Sequence, residues 1–180
     1  WTVTGAGAAV VQNPKTAAES EKGSPHISAV HIGTITDLGI KDANNMGAAM
    51  APAAARTIGG FLSDTGTSPD DYDMIVTGDL GYTGSTLLYE LTKKEYGVDI
   101  RSVHKDCGLM IFDLEEQDVH SGGSGCGCSA SVLCSYLLGE MNKGRLRKIL
   151  FTATGALMSP TSCKQGQPIP GIAHSVLIEI

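Results

Sequence analysis

Residues Met74–Gly97 read "MIVTGDLGYTGSTLLYELTKKEYG". "MIVTG" is a short apolar run of the kind that forms a strand buried on both faces. "DLGYTGS" carries the glycines and the aspartate of a loop. "STLLYELTKKEYG" has helical spacing, with Lys93 and Lys94 late in it and Gly97 as its stop. Strand, loop and helix in that order are one βα unit of a parallel or mixed sheet.

The rest of the chain reads as more of the same. "GAGAAVVQN" (Gly5–Asn13) reads as a short buried strand, and His26–Thr36 as a second strand with partial period-two alternation. "MAPAAARTIGGFLSDTG" has helical spacing, with Pro52 placed in the first turn, where a missing N–H costs nothing. "CGLMIFDLEEQ" (Cys107–Gln117) stays ambiguous between helix and strand. "GGSGCGCSASVLCSYLLGEM" (Gly122–Met141) runs from a glycine-rich turn into a helix whose apolar face is Val132, Leu133, Tyr136, Leu137 and Met141. "KILFTATGAL" and "GIAHSVLIEI" close the chain as two strands joined by a proline-bearing loop, an antiparallel pair ending in Gly171–Ile180. This alternation predicts an α/β fold: a mixed, mostly parallel five-stranded sheet with helices on both faces.

Composition excludes several classes of function. The 180 residues suffice for one well-buried core, and 42% hydrophobic against 18% charged residues is globular. A net charge of −6 leaves no basic stripe to neutralise phosphates, so no nucleic-acid partner is expected. The one basic run, "NKGRLRK" (Asn142–Lys148), reads as a solvated helix end. No apolar stretch approaches the roughly 20 residues that span a bilayer, and no signal peptide is visible. Five cysteines, an odd number, do not suggest a disulfide framework, and a reducing compartment follows.

Three of those cysteines, Cys126, Cys128 and Cys134, fall within nine residues. Their C-x-C-x5-C spacing lacks the paired knuckles of a zinc site, so no metal is expected. A thiol at a helix N-terminus has its ionisation favoured, but no histidine stands nearby in sequence to act as base. Small residues packed at a helix start are the third reading, and the spacing alone leaves it open beside the reactive thiol. The backbone N–H groups of Gly125, Cys126, Gly127 and Cys128 open a helix and suit an anion. Asp79 follows a strand, where α/β proteins place ligands, or else serves as a turn aspartate. His174 lies in an apolar strand and needs a hydrogen-bond partner.

The chain also resembles a known fold family. "WTVTGAGAAVV", "SPDDYDMIVTGDLG", "SGCGCSAS" and "ILFTATGAL…AHSVL" are similar, in order and spacing, to segments of thiolase-fold condensing enzymes. "MGAAMAPAAA" (46–55), "CGLMIF" (107–112), "GSGCGCSA" (123–130) and "ATGALMSPT…IAH" (153–174) resemble more closely the stage V sporulation protein AD family. The resemblance implies that residues 1–180 are the C-terminal half of a five-layer αβαβα protein. Residues 1–13 would be the closing strand of the missing N-terminal half, which carries the thiolase nucleophile. It places Gly78 and Cys126 at the positions of the histidine and asparagine that stabilise the condensing enzymes' oxyanion. A missing side chain and a weak donor there imply no condensing activity.

What remains implied is binding. The resemblance points to pyridine-2,6-dicarboxylic (dipicolinic) acid or its calcium complex, taken into the developing spore and released in germination. No cofactor is expected. Asp79, Tyr82, Gly125, Cys126, Gly127, Cys128 and His174 are the expected ligand-binding residues, with Asp79 facing calcium. The implied setting is peripheral, at the inner membrane of the developing spore, beside other stage V sporulation membrane proteins; a homodimer is left open. Two other functions compete: a coenzyme A-dependent condensing enzyme or acyltransferase, and a ligand-free scaffold of a membrane transport complex.

Overall fold

A computed structural model describes residues 1–13 and 23–180. The elements in chain order are β1 (His26–His31), α1 (Met46–Thr65), β2 (Met74–Thr77), α2 (Gly81–Tyr96), β3 (His104–Asp106) and α3 (Cys107–Met110). After them come α4 (Cys126–Val132), α5 (Leu138–Asn142), β4 (Lys148–Ala156), α6 (Pro160–Lys164) and β5 (Gly171–Glu179). The strands form one sheet in the order β1–β5–β4–β2–β3. β4, β2 and β3 are parallel neighbours, and β5 is antiparallel to both β4 and β1. Four strands therefore run one way and β5 runs against them.

Alternating residues of β2 and β4 feed two cores, because successive side chains point to opposite faces of a sheet. Ile75 and Leu150 pack with Ile58, Phe61 and Leu88 of α1 and α2 on one face. Val76, Ile149 and Phe151 pack with Val132, Leu137 and Met141 on the other. Helices cover both faces, as the apolar strand runs require. The close approach of α1 to α2 depends on two glycines. A Cβ on Gly47 would lie 2.4 Å from the Leu80 carbonyl oxygen, and one on Gly84 would lie 2.9 Å from the Gly47 Cα.

Several boundaries differ from the sequence reading, each for a physical reason. Gly5–Asn13 forms no strand: Val10 and Val11 are exposed, and only Thr2, through its bridge to Ser124, finds a ladder partner. Apolar character without a neighbouring strand is insufficient. β1 stops at His31, and Thr36 makes only an isolated bridge to Gly171. Helix α1 begins at Met46, capped by Asn45, so Pro52 lies inside the helix rather than in its first turn. Helix α2 begins at Gly81, four residues before the expected start, because a distant carboxylate, described below, satisfies its first N–H groups. The ambiguous "CGLMIFDLEEQ" holds only the short α3, and the loop after β4 contains α6.

Between α4 and α5 the backbone takes a π-turn, Leu133–Leu137. The extra residue shifts the buried positions to Val132, Leu137 and Met141, a spacing of five and then four. Tyr136 is thereby rotated out of the apolar face and is 47% exposed.

Candidate functional site

The C-terminal ends of β2 and β4 and the N-termini of α1, α2 and α4 converge around Asp79. Its carboxylate accepts hydrogen bonds from the Gly125 N–H (2.7 Å) and the Thr154 hydroxyl (3.0 Å). The same Thr154 oxygen accepts the Asp79 N–H at 3.2 Å. Asp79 thus ties β2 to β4 and to the residue before α4, and one oxygen already holds the N–H expected to receive an external carboxylate. Gly78 sits in the same knot. A Cβ there would lie 2.8 Å from Thr154 Oγ1 and 3.2 Å from its backbone nitrogen, so a side chain at this position would have to displace Thr154 from its bonds to Asp79.

Beside this knot a cavity of about 230 Å³ opens between the first turns of α1 and α2 and the 119–124 loop. Asn44, Asn45, Asp79, Thr83, His120 and Ser121 are among the polar residues that line it. His120 takes φ = 51°, a conformation uncommon for a residue with a side chain. Gly81 takes φ = 65°, and a Cβ on it would meet the Ser121 carbonyl at 2.5 Å, so the cavity wall requires glycine there.

Of the seven expected ligand-binding residues, Asp79 alone lines this cavity. Tyr82 is exposed, with its N–H given to the Ser121 carbonyl. Gly125 lies beside Asp79 but is engaged by it. Cys126 begins α4 with its residue exposed, whereas Cys128 is buried in the core beneath. Gly127 is closely covered: a Cβ on it would lie 2.4 Å from the Gly5 carbonyl. His174 is exposed on β5, and its Nδ1 accepts the Gly33 N–H at 3.1 Å. Among the described residues, no group of three or more histidine, cysteine, aspartate or glutamate side chains is arranged to hold a metal ion.

A second polar system lies behind the wall, and nothing in the sequence reading selected it. Asp106, at the end of β3, accepts the N–H groups of Leu80 (2.9 Å) and Gly81 (3.0 Å) and the hydroxyl of Thr77 (2.6 Å). Thr77 spends its only proton on that carboxylate, so its oxygen accepts from His104 Nε2 at 2.9 Å. His104 Nδ1 then accepts from the Tyr89 hydroxyl, also at 2.9 Å. All donors of the chain point toward Asp106. Burial pushes the Asp106 carboxyl up to about 6 and the His104 imidazole down to about 4. Burial also pushes the Cys128 thiol up to about 12 and raises Cys107, so both are inert thiols. The only sequence signal for this system was polar residues at alternate positions of "HKD" (His104–Asp106), which resembles ordinary surface sequence.

The model of the stage V sporulation protein AD family matches residues 1–179. The chain belongs to that family. Stage V sporulation protein AD of Bacillus subtilis (strain 168) is 44% identical over 179 residues, which are 99% of this chain and 50% of that protein. The chain therefore spans about half the length of the curated relative it matches. Solved structures with a related course of chain include the tetronic acid condensing enzyme AbyA1 (TM-score 0.49, 14% identity, 91% of this chain and 51% of that one). Another is 3-oxoacyl-[acyl-carrier-protein] synthase III from Aquifex aeolicus VF5 (TM-score 0.45, 9% identity, 90% and 46%). Among the described residues of this family member, no helix is long and apolar enough to cross a membrane.

Proposed function

We propose that this chain is part of a non-catalytic binding protein for dipicolinic acid, rather than of a condensing enzyme. The observation that carries the reading is Gly78. Condensation develops negative charge on a thioester oxygen, and that charge needs strong donors fixed in a dry site. The motif resemblance puts the donor histidine at Gly78, where a ring would have to displace Thr154. It puts the second donor at Cys126, whose thiol is a poor one. Loss of one such donor costs about 10²–10³ in rate.

Binding makes no such demand, since ground-state contacts suffice. The cavity of about 230 Å³ suits a single ring, and Asn44, Asn45, Thr83 and His120 are polar residues along its lining. The carboxylate of Asp79 on its wall would oppose a free dianion. Calcium, with its preference for several oxygen ligands, would reconcile the two charges. An external carboxylate at Gly125 would have to displace Asp79. The recognition surface is therefore centred on the α1 and α2 side, away from Cys126, Cys128 and His174. In this reading the intact protein serves dipicolinate uptake into the developing spore and its release in germination, beside other stage V sporulation proteins at the inner membrane.

Calorimetric titration of the intact protein with dipicolinate, with and without calcium, tests this together with an assay for acyl transfer from acetyl- and malonyl-coenzyme A. Saturable binding weakened by His120→Ala, without turnover, is expected. Turnover abolished by Cys126→Ser, with no dipicolinate binding, would establish the condensing enzyme instead. Neither binding nor turnover would leave the scaffold.

A further inference from the structure

A larger cavity, about 730 Å³, lies over β3 at the sheet edge, between α2, α3 and the α4 helix with its π-turn. It shares no lining residue with the cavity beside Asp79. Leu109, Met110 and Val132 give it an apolar wall, and Ser131 and Ser135 a polar rim. The π-turn residues Ser135 and Tyr136 both line it, so the same backbone irregularity that removes Tyr136 from the core delivers it here. π-turns of this kind are frequent at functional sites.

Charge defines what the cavity would accept. Lys105 lines it and has no carboxylate within ion-pair distance among the described residues, whereas the neighbouring Arg101 is held by Glu90 (2.8 Å) and Asp99 (3.0 Å). Asp106 also lines the cavity, but its carboxylate is turned to Thr77, Leu80 and Gly81, on the opposite face of β3 from Lys105. The Tyr89 hydroxyl donates to His104 and has no proton left for a ligand. One unpaired cation therefore stands beside an apolar chamber of a size that ordinarily encloses a small organic molecule. We propose that the cavity over β3 is a second ligand site, separate from the Asp79 cavity, that takes a small amphipathic anion with its charged group on Lys105 and its apolar body against Leu109, Met110 and Val132.

Fluorescence titration of the intact protein with 8-anilinonaphthalene-1-sulfonate, an aromatic anion, tests this, with decanoate and decanol as competitors. Saturable binding of one probe per chain is expected, displaced by decanoate at least tenfold better than by decanol. Lys105→Met, at an exposed position that leaves the core intact, is expected to weaken the probe at least tenfold. Ser135→Trp, which puts an indole into the chamber, is expected to weaken the probe, and His120→Ala, in the other cavity, to leave it unchanged. Equal competition by decanol and decanoate, or probe affinity unchanged in both Lys105→Met and Ser135→Trp, would overturn the proposal.

Discussion

The Asp79 carboxylate lies 2.7 Å from the backbone nitrogen of Gly125, joining the end of β2 to the start of α4 across 46 residues of sequence. A carboxylate that accepts a backbone N–H and a threonine hydroxyl is a structural tie before it is anything else. Asp79→Ala removes both acceptor contacts and is expected to cost about 1–3 kcal/mol. Asp79→Asn keeps one carbonyl oxygen for Gly125 and is expected to cost less. Urea denaturation of the two variants checks the order.

The buried pair behind the site opposes itself in pH dependence. The folded His104 pKa is depressed, so its contribution is present above about pH 6.5 and is lost as pH falls toward 4. The folded Asp106 pKa is raised, so its contribution is present below about pH 3.8 and is lost as pH rises toward 6. Each amounts to something on the order of 3 kcal/mol, and across pH 4–6 they offset. His104→Gln is expected to tilt the stability curve so that stability falls as pH rises through that window. Asp106→Asn is expected to tilt it the other way. Thermal midpoints measured every half unit of pH, as differences from wild type, distinguish the slopes, and parallel curves would refute the assignment.

Thiol reactivity should follow burial. Cys126 is exposed at the first position of α4, whereas Cys107 and Cys128 are buried with raised pKa values. With a disulfide reagent at neutral pH, Cys126 is expected to react in the folded chain, and Cys107 and Cys128 only after denaturation. Mass spectrometry of the labelled peptides reads this directly.

Glycine substitutions should separate packing from propensity. Gly47→Ala drives a methyl into the Leu80 carbonyl, and overpacking of this kind costs about 1–3 kcal/mol. It also displaces the first turns of α1 and α2, which border the cavity beside Asp79, so dipicolinate affinity is expected to fall as well. Gly139→Ala, in α5 with open space around it, is expected to be neutral or to stabilise by up to about 1 kcal/mol. Equal destabilisation by the two changes would contradict the packing account.

Short-range chemistry was legible in the chain itself. Met74, Ile75 and Val76 of β2 are apolar in succession because the strand is covered on both faces, and Gly97 ends α2 because its left-handed conformation (φ 71°) suits glycine. The antiparallel β4–β5 pair and the motifs of the sporulation family lie in consecutive residues, where spacing alone carries the signal. The tertiary structure decided what depends on distant partners. Asp106 starts α2 from 25 residues away, Asp79 occupies the helix-terminal N–H that looked free, and Thr154 crowds the space at Gly78. The π-turn moved Tyr136 off a face that an α-helical count had assigned to it. The physical reason is common to the first three. Strand and helix signals arise from neighbours within about a turn of chain, whereas a hydrogen bond or a steric contact between remote segments exists only once the sheet has set its register.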